Sequence, residues 1–193
     1  MAPMYRREPV LRTLVDRARQ GDEEAFGALL GEVGDRCIFI AYRILRDADL
    51  AEDAVQMALV QVWRELPALR DLGRFEAWLH RILVNACYAE ARRSRRFAAN
   101  VVLLETDEPA AGDEFLTVND RDQLDRGFRR LPPEQRAVLV FRHALGLTVP
   151  EVADHLGIPL GTAKSRLSYA TAAIRAALEA DARTPILDQE NLA

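Results

Sequence analysis

A chain of 193 residues, 49% of them hydrophobic, is long enough for one ordinary domain or two small ones with buried cores. Its longest apolar runs, such as residues 137–141, are too short to span a bilayer, and its first ten residues lack a signal peptide's apolar stretch, so a cytoplasmic protein is predicted. Cys37 and Cys87 have no metal-ligand spacing, which favours reduced buried thiols over a disulfide framework or a metal site.

The formal net charge of −4 is unevenly distributed along the chain. Residues 98–122 contain one basic and seven acidic groups, whereas residues 123–180 contain eight basic and five acidic groups. Because a phosphate backbone responds to local charge, the acidic total does not exclude nucleic-acid binding. The acidic segment contains Pro109 and Gly112 and no sustained helical period, so we interpret it as a flexible linker. The predicted organisation is a domain at 10–97, a linker at 98–122, a domain at 123–180 and a tail at 181–193.

The apolar residues of the first domain repeat at helical spacing, and no alternating strand pattern of useful length occurs. An all-α fold is therefore predicted. Asp22, followed by Glu23 and Glu24, marks a helix start, and the chain before Val10 and after Asp181 is expected to be loose. The predicted core positions are Ala25, Phe26, Leu29, Leu30 and Val33 on a first helix; Ile38, Ala41, Tyr42 and Leu45 on a second, at about 35–46; residues 54, 55, 58, 59, 62, 63 and 66 on a third, which starts near Asp49; and Phe75, Trp78, Leu79, Ile82, Leu83 and Ala86 on a fourth, at about 74–96.

The third helix has a second face opposite its apolar stripe. Met57 and Val60 lie there without a core to join. A line of mixed apolar and polar side chains is typical of a helix that docks on a partner protein, although scattered exposed apolar residues explain it equally well. The members of this face are Asp53, Gln56, Met57, Val60 and Arg64.

The fourth helix also has a second face, in which cations alternate with aromatic and amide groups. This pattern suits a nucleic-acid strand, because cations follow the phosphates and rings stack on unpaired bases. The alternative is that Phe75 and Trp78 belong to the core and that residues 91–96 form a solvated helix end. The candidate residues are Arg74, Phe75, Trp78, Arg81, Asn85, Tyr88, Arg92, Arg93, Arg95 and Arg96.

The second domain contains a helix-turn-helix pattern. Leu124, Phe128 and Leu131 share one helix face, Pro133 can begin the next helix and Gly146 ends it. Thr148 and Glu151 have the spacing of a capping box for a short helix, which Gly157 ends. After a tight turn, a longer helix runs from about Leu160 to Glu179.

The last helix has an apolar face that is predicted to pack on the preceding helices: Ala163, Leu167, Ala170, Ile174 and Ala177. The other side carries hydroxyls and cations near the helix N-terminus, including Lys164, the only lysine in the chain. These groups suit phosphates and base edges in a major groove, and the alternative is an ordinary solvated face. They are Thr162, Lys164, Ser165, Arg166, Ser168 and Tyr169.

Four stretches, in this order, resemble extracytoplasmic-function (group 4) sigma factors of bacterial RNA polymerase, in the sigma-70 family. The resemblance covers about residues 10 to 180. The stretches are GDEEAFGALL, AEDAVQMALVQVWREL, GRFEAWLHRILVNACYAEARRSRR and LPPEQRAVLVFRHALGLTVPEVADHLGIPLGTAKSRL.

The resemblance implies two helical domains, sigma regions 2 and 4, whose linker passes through the polymerase. It assigns the second face of the third helix to core RNA polymerase, so the beta and beta-prime subunits are expected partners. It assigns the fourth helix and residues 67–76 to melting and capture of the minus-10 promoter element, and the last helix to reading of minus-35 duplex DNA. An anti-sigma protein is a further expected partner, because such proteins commonly hold family members. No catalytic residue, metal site, cofactor or membrane insertion is expected.

The sequence departs from the family pattern at two places. After KSRL it offers few of the basic residues that many members carry, and after Gln56 it has Met57, Ala58 and Leu59 where an acidic and an aromatic residue are frequent. The main alternative function is a stand-alone helix-turn-helix regulator. An enzyme is the third class, but none of the three histidines lies in an HExxH pattern, and no P-loop or nucleophile motif occurs.

Overall fold

A computed structural model describes residues 7–102 and 126–183, with side chains described at 9–97 and 126–179. Within these ranges the regular structure is helical, which confirms the predicted all-α class. Most of the predicted linker and tail, and Leu124, lie outside the described residues. The helices are α1 (Arg7–Arg19), α2 (Glu23–Leu45), α3 (Ala48–Glu65), α4 (Phe75–Val102), α5 (Pro133–Leu139), α6 (Val149–Leu156) and α7 (Leu160–Arg183).

Short helical turns complete the chain path between these helices. Two 3-10 turns, Leu66–Ala68 and Leu72–Arg74, connect α3 to α4. A helical turn at 126–129 leads into the second domain, and a π-helical turn, Val140–Ala144, continues α5. None of the helices in the described ranges combines the length and apolarity needed to cross a membrane.

The helix starts in the first domain follow from side-chain caps. The Asp22 carboxylate accepts a hydrogen bond from the Ala25 N–H at 2.9 Å, and the Asp47 carboxylate accepts one from the Leu50 N–H at the same distance. Each cap satisfies a backbone donor that the helix itself cannot pair. The third helix therefore starts just before the predicted Asp49.

The second helix differs from the prediction, because α2 is one continuous helix rather than two. In an unbroken helix the buried face of Leu29 and Val33 continues to Cys37, Ile40 and Ile44. The prediction that Ile38 and Tyr42 belong to the core was therefore wrong, since these side chains are 39% and 40% exposed. Trp63 is also 40% exposed, although its ring contacts Phe26 at a centroid distance of 4.5 Å.

The helix α1 was missing from the prediction, which began its first helix at Asp22. Leu11, Leu14, Val15 and Ala18 repeat at helical spacing, and α1 packs this face on α2.

Burial of both free cysteines raises the pKa of Cys37 to about 11 and that of Cys87 to about 12.

The two helical domains share one continuous apolar core. Phe141, fully buried, reaches α4 and lies edge-on to the His80 ring at a centroid distance of 5.2 Å. The Arg136 guanidinium donates to the Leu45 carbonyl at 3.3 Å, where α2 ends. Burial of a phenylalanine side chain contributes about 1.5–3 kcal/mol, and the part of this that Phe141 gains against α4 favours the contact between the domains.

Candidate nucleic-acid and protein interfaces

The second face of α3 is exposed along its whole length. Met57 and Val60 are 49% and 46% exposed, because Ala54, Ala58 and Val62 turn the opposite side into the core. Asp53, Gln56 and Arg64 are exposed on the same face. The structure thus brings together all five residues that were predicted for a protein partner.

Asp53 already has a partner on α4. Its carboxylate lies 3.0 Å from the Arg93 guanidinium, which also lies 2.7 Å from the buried Glu90 carboxylate. Arg93 therefore fixes the α3 face relative to α4. Because Asp53 and Arg93 are both more than half exposed, their pairing contributes at most about 1 kcal/mol.

The candidate residues of α4 divide into three groups. Asn85, Arg92, Arg93, Arg95 and Arg96 are exposed. Phe75 is only 2% exposed, so in this structure its ring packs under Trp78, at a centroid distance of 6.0 Å, and does not present a stacking surface. Trp78 is half-buried at the edge of this cluster.

The third group, Arg74, Arg81 and Tyr88, lies against the second domain. Arg74 forms an ion pair with the Asp154 carboxylate, and Arg81 donates to the Asp154 carbonyl at 3.1 Å. Tyr88 is half-buried, but its hydroxyl is buried and has no hydrogen-bond partner among the described residues; burial raises its pKa, an effect that the nearby Arg166 charge partly offsets.

The loop before α4 is held in place by residues that the sequence analysis did not single out. The Asp71 carboxylate accepts the Gly73 N–H at 2.9 Å, which closes the turn before Arg74. Arg19 of α1 donates to the Leu69 carbonyl at 3.2 Å. An aspartate two residues before a glycine is a recognisable turn signal, whereas the Arg19 contact spans 50 residues and has no local signature.

The helix-turn-helix is built as predicted. Thr148 donates to the Glu151 carboxylate through its N–H at 2.7 Å and its hydroxyl at 2.6 Å, and it accepts the Glu151 N–H in return. These hydrogen bonds lower the pKa of Glu151, the hydroxyl contributing most. Gly157 ends α6 with φ +64°, a conformation that favours glycine.

The predicted reading face of α7 points to solvent. Lys164, Ser165, Ser168 and Tyr169 are exposed, and Thr162 and Arg166 are half-buried. The apolar side packs as predicted, with Ala163 and Ala170 fully buried.

A shallow groove on α7 contains two further polar residues. Its lining includes Val149, Lys164, Ser168, Thr171 and Arg175. Thr171 and Arg175 follow Lys164 by 7 and 11 positions, so helical periodicity alone could have added them to the predicted site.

Family comparisons agree with this arrangement. Residues 29–97 match the family Sigma-70 region 2, and residues 121–174 match Sigma-70, region 4. The RNA polymerase sigma-H factor of Pseudomonas aeruginosa is 30% identical over 178 residues, which cover 86% of this chain and 92% of that protein. The ECF RNA polymerase sigma factor SigM of Mycobacterium tuberculosis is 34% identical over 152 residues, covering 79% of this chain and 76% of that protein.

Solved structures show the same fold. CnrH, in complex with the cytosolic domain of CnrY, has a TM-score of 0.62 at 27% identity, covering 89% of this chain and 99% of that chain. RpoE of Bartonella quintana, in complex with the anti-sigma factor NepR, has a TM-score of 0.62 at 25% identity, covering 81% and 98%. Since both family regions match in order and the two relatives cover 86% and 79% of the chain, the protein belongs to the sigma-70 family as an extracytoplasmic-function sigma factor, an alternative sigma factor of RNA polymerase.

Proposed function

We propose that this sigma factor initiates promoter-specific transcription through three separate surfaces, one for core RNA polymerase and two for promoter DNA. The observation that carries this proposal is the presence, on one chain, of a helix-turn-helix reading face on α7 and an exposed mixed face on α3. A stand-alone regulator needs the first surface and has no use for the second. The polymerase supplies the catalytic chemistry, so the chain itself acts in the cytoplasm as a binding protein.

The α3 face is the proposed contact with the polymerase. Two large apolar side chains, Met57 and Val60, lie in the middle of a polar face and remain about half exposed. Burying them against a partner removes apolar area from water, while Asp53, Gln56 and Arg64 supply hydrogen bonds at the rim. We assign this face to the beta-prime subunit and the positioning of the second domain to the beta subunit.

The α4 face and the preceding loop, residues 67–76, are the proposed minus-10 site. Arg92, Arg95 and Arg96 place cations where a strand's phosphates would pass, and Trp78 offers a ring to an unstacked base, as Tyr88 would once the second domain no longer covers it. Phe75 contributes by supporting Trp78 from below. Arg74 and Arg81 join this surface only when they leave Asp154.

The α7 face is the proposed minus-35 site. Its hydroxyl and cationic side chains lie within the first three turns of the helix, where the backbone of a recognition helix approaches base edges. Lys164 and Ser168 line the groove and are the proposed base-reading residues. Thr171 and Arg175, further along the groove, are proposed phosphate contacts.

An anti-sigma protein is proposed as a further partner. CnrH and RpoE, the neighbours with the same fold, were captured with CnrY and with the anti-sigma factor NepR respectively. Their similarity covers 89% and 81% of this chain, so a protein partner of the same kind is expected here.

Run-off transcription on genomic fragments tests the proposal. Core RNA polymerase is assayed alone, with this protein, and with a Met57→Glu variant that retains the second domain. Defined start sites are expected with the unaltered protein, far fewer with Met57→Glu and none with core polymerase alone. If the protein binds promoter fragments by itself yet produces no start sites with core polymerase, the stand-alone regulator is the correct function.

A further inference from the structure

Two histidines form the centre of the contact between the two domains. His80 of α4 and His155 of α6 approach each other with their Nδ1 atoms 2.8 Å apart, and their ring centroids are separated by 5.0 Å. His80 is only 2% exposed, and His155 is half-buried. The Phe141 ring lies edge-on to both, at 5.2 Å and 6.2 Å, so the pair has an apolar wall. We call this contact of α6 with α4 the closed arrangement.

The hydrogen bond between the rings requires a specific protonation state. One Nδ1 must carry a hydrogen and the other must offer a lone pair, so at least one ring is neutral. A first proton leaves one neutral ring that can still accept the hydrogen bond, but it places a cation in a buried contact with an apolar wall; a second proton turns both Nδ1 atoms into donors, breaks the bond and places two cations in contact. The closed arrangement therefore disfavours protonation of the pair.

Burial and the neighbouring positive charges also disfavour protonation of the pair. Burial lowers the pKa of His80 to about 3, and the charges of Arg36 and His155 contribute to that shift. Burial also lowers the pKa of His155, an effect that Asp154, Glu76 and Glu151 partly offset.

The carboxylates near the pair already have other partners. Arg36 of α2 holds Glu76 of α4 at 3.0 Å, Arg74 pairs with Asp154, and Glu151 belongs to the capping box of α6. From the π-helical turn it is the uncharged Phe141 ring that faces the pair. These carboxylates consequently offset only part of the cost of burying an imidazolium cation.

We propose that the His80–His155 pair is a proton-sensitive clasp that holds the two domains together when both rings are neutral and releases them on acidification. Release would free Arg74 and Arg81 from Asp154 and uncover Tyr88. That these groups would then become available to minus-10 DNA rests on the proposed function; the clasp itself does not.

The direction and size of the pH effect follow from linkage. A histidine whose pKa is lower in the closed arrangement stabilises it fully above the ordinary value of about 6.5, and this contribution is lost as the pH falls below that value towards about 3. For His80 alone, the ratio of closed to open molecules should fall about tenfold between pH 7.5 and pH 5.5.

Energy transfer between dyes on the two domains measures this ratio in the full chain. Exposed alanines, Ala28 on α2 and Ala173 on α7, are replaced by cysteine and labelled. Cys37 and Cys87 are buried with raised pKa values, so they react slowly with maleimides. Transfer should decrease from pH 7.5 to pH 5.5, while far-UV circular dichroism stays constant.

Histidine variants identify the source of the response. His80→Leu/His155→Leu removes both titrating rings and keeps an apolar contact with Phe141, so its transfer should be the same at both pH values. His143→Gln alters the exposed third histidine and should respond as the unaltered chain does. If the double variant does not fold, His155→Gln decides: it removes one of the two titrating rings and keeps a hydrogen-bond acceptor for His80, so a smaller response is expected.

Several results would overturn the clasp. They are unchanged transfer in the unaltered chain between the two pH values, loss of helicity over the same interval, or a response of full size in the double variant or in His155→Gln. Because neither polymerase nor promoter is present, these outcomes are independent of whether the protein initiates transcription.

Discussion

Gly157 lies directly against the side chain of Arg81. A Cβ atom at position 157 would be 2.7 Å from the Arg81 Nε, and the residue already has the left-handed φ of +64°. The same guanidinium donates to the Asp154 carbonyl, one turn earlier in α6. The end of the first helix of the helix-turn-helix and a candidate minus-10 residue therefore determine each other's position.

Gly157→Ala is expected to destabilise the protein by roughly 1–2 kcal/mol, the usual cost of a left-handed conformation for an L-residue. The added methyl group also displaces Arg81 and weakens the closed arrangement. Urea denaturation measures the free energy of unfolding, and the dye-labelled chain measures the domain contact.

A second glycine on the same motif provides the control. Gly161, in the first turn of α7, has open space where an added methyl group would lie and no positive φ, so Gly161→Ala should leave the stability unchanged or raise it slightly. Combining Gly157→Ala with Arg81→Ala should restore only the part of the loss that comes from the side-chain clash. Equal effects of Gly157→Ala and Gly161→Ala would contradict this explanation.

Thr148→Ala is expected to lower the free energy of unfolding by about 1 kcal/mol at neutral pH, because it removes the capping hydroxyl of α6. The hydroxyl lowers the pKa of Glu151, so the stabilisation from this carboxylate is present above its unfolded-state pKa and is lost as the pH falls through the folded-state value. The difference between Thr148→Ala and the unaltered chain should consequently shrink in acid. Thr148→Ser keeps the hydroxyl and should behave like the unaltered chain; a loss as large as that of alanine would exclude the cap as the cause.

Local signals predicted these features of the second domain because each depends on a few neighbouring residues. Thr148 and Glu151, three residues apart, form the hydrogen bonds of a capping box. Position 157 has a left-handed backbone conformation, which favours glycine. The side of α2 that faces the core could not be predicted in the same way. The prediction began a separate helix at about residue 35, which restarted the helical period and placed Ile38 and Tyr42 inside instead of Cys37, Ile40 and Ile44.

Contacts between residues far apart in the chain could not be predicted from the sequence. His80 and His155 are 75 positions apart, and neither has a neighbour that indicates the other. The same is true of Arg74 with Asp154. The sequence therefore offered no reason to distinguish Arg74 from the other candidate arginines of this face. Packing of the second domain on α4 pairs Arg74 and Arg81 with Asp154 and so distinguishes them from the other arginines of this face.

Met57→Glu is expected to weaken binding to core RNA polymerase by about tenfold or more, because it places a charge in the apolar centre of the proposed docking face. Met57 is half exposed, so the stability of the free protein should change by no more than about 0.5 kcal/mol. Fluorescence anisotropy with core enzyme measures the affinity, and thermal unfolding measures the stability.

Ala28→Glu is the matched control for this variant, since it adds the same charge at an exposed position of α2. It should bind core polymerase as the unaltered protein does. Unchanged affinity of Met57→Glu, or equal losses in both variants, would remove the α3 face from the proposed interface.

Lys164 and Arg175 are expected to differ in how their loss depends on DNA sequence. Lys164→Ala should cost about 1–3 kcal/mol at the preferred minus-35 sequence and much less on unrelated duplexes, as for a residue that reads a base edge. Arg175→Ala should weaken binding to all duplexes to a similar extent and reduce the salt dependence by about one unit, as for a phosphate contact. Binding isotherms at several salt concentrations, on the preferred and on scrambled duplexes, separate the two patterns. A uniform loss for Lys164→Ala would make it a phosphate contact as well, and base reading by α7 would then depend on its hydroxyl side chains, with Ser168 next to be tested.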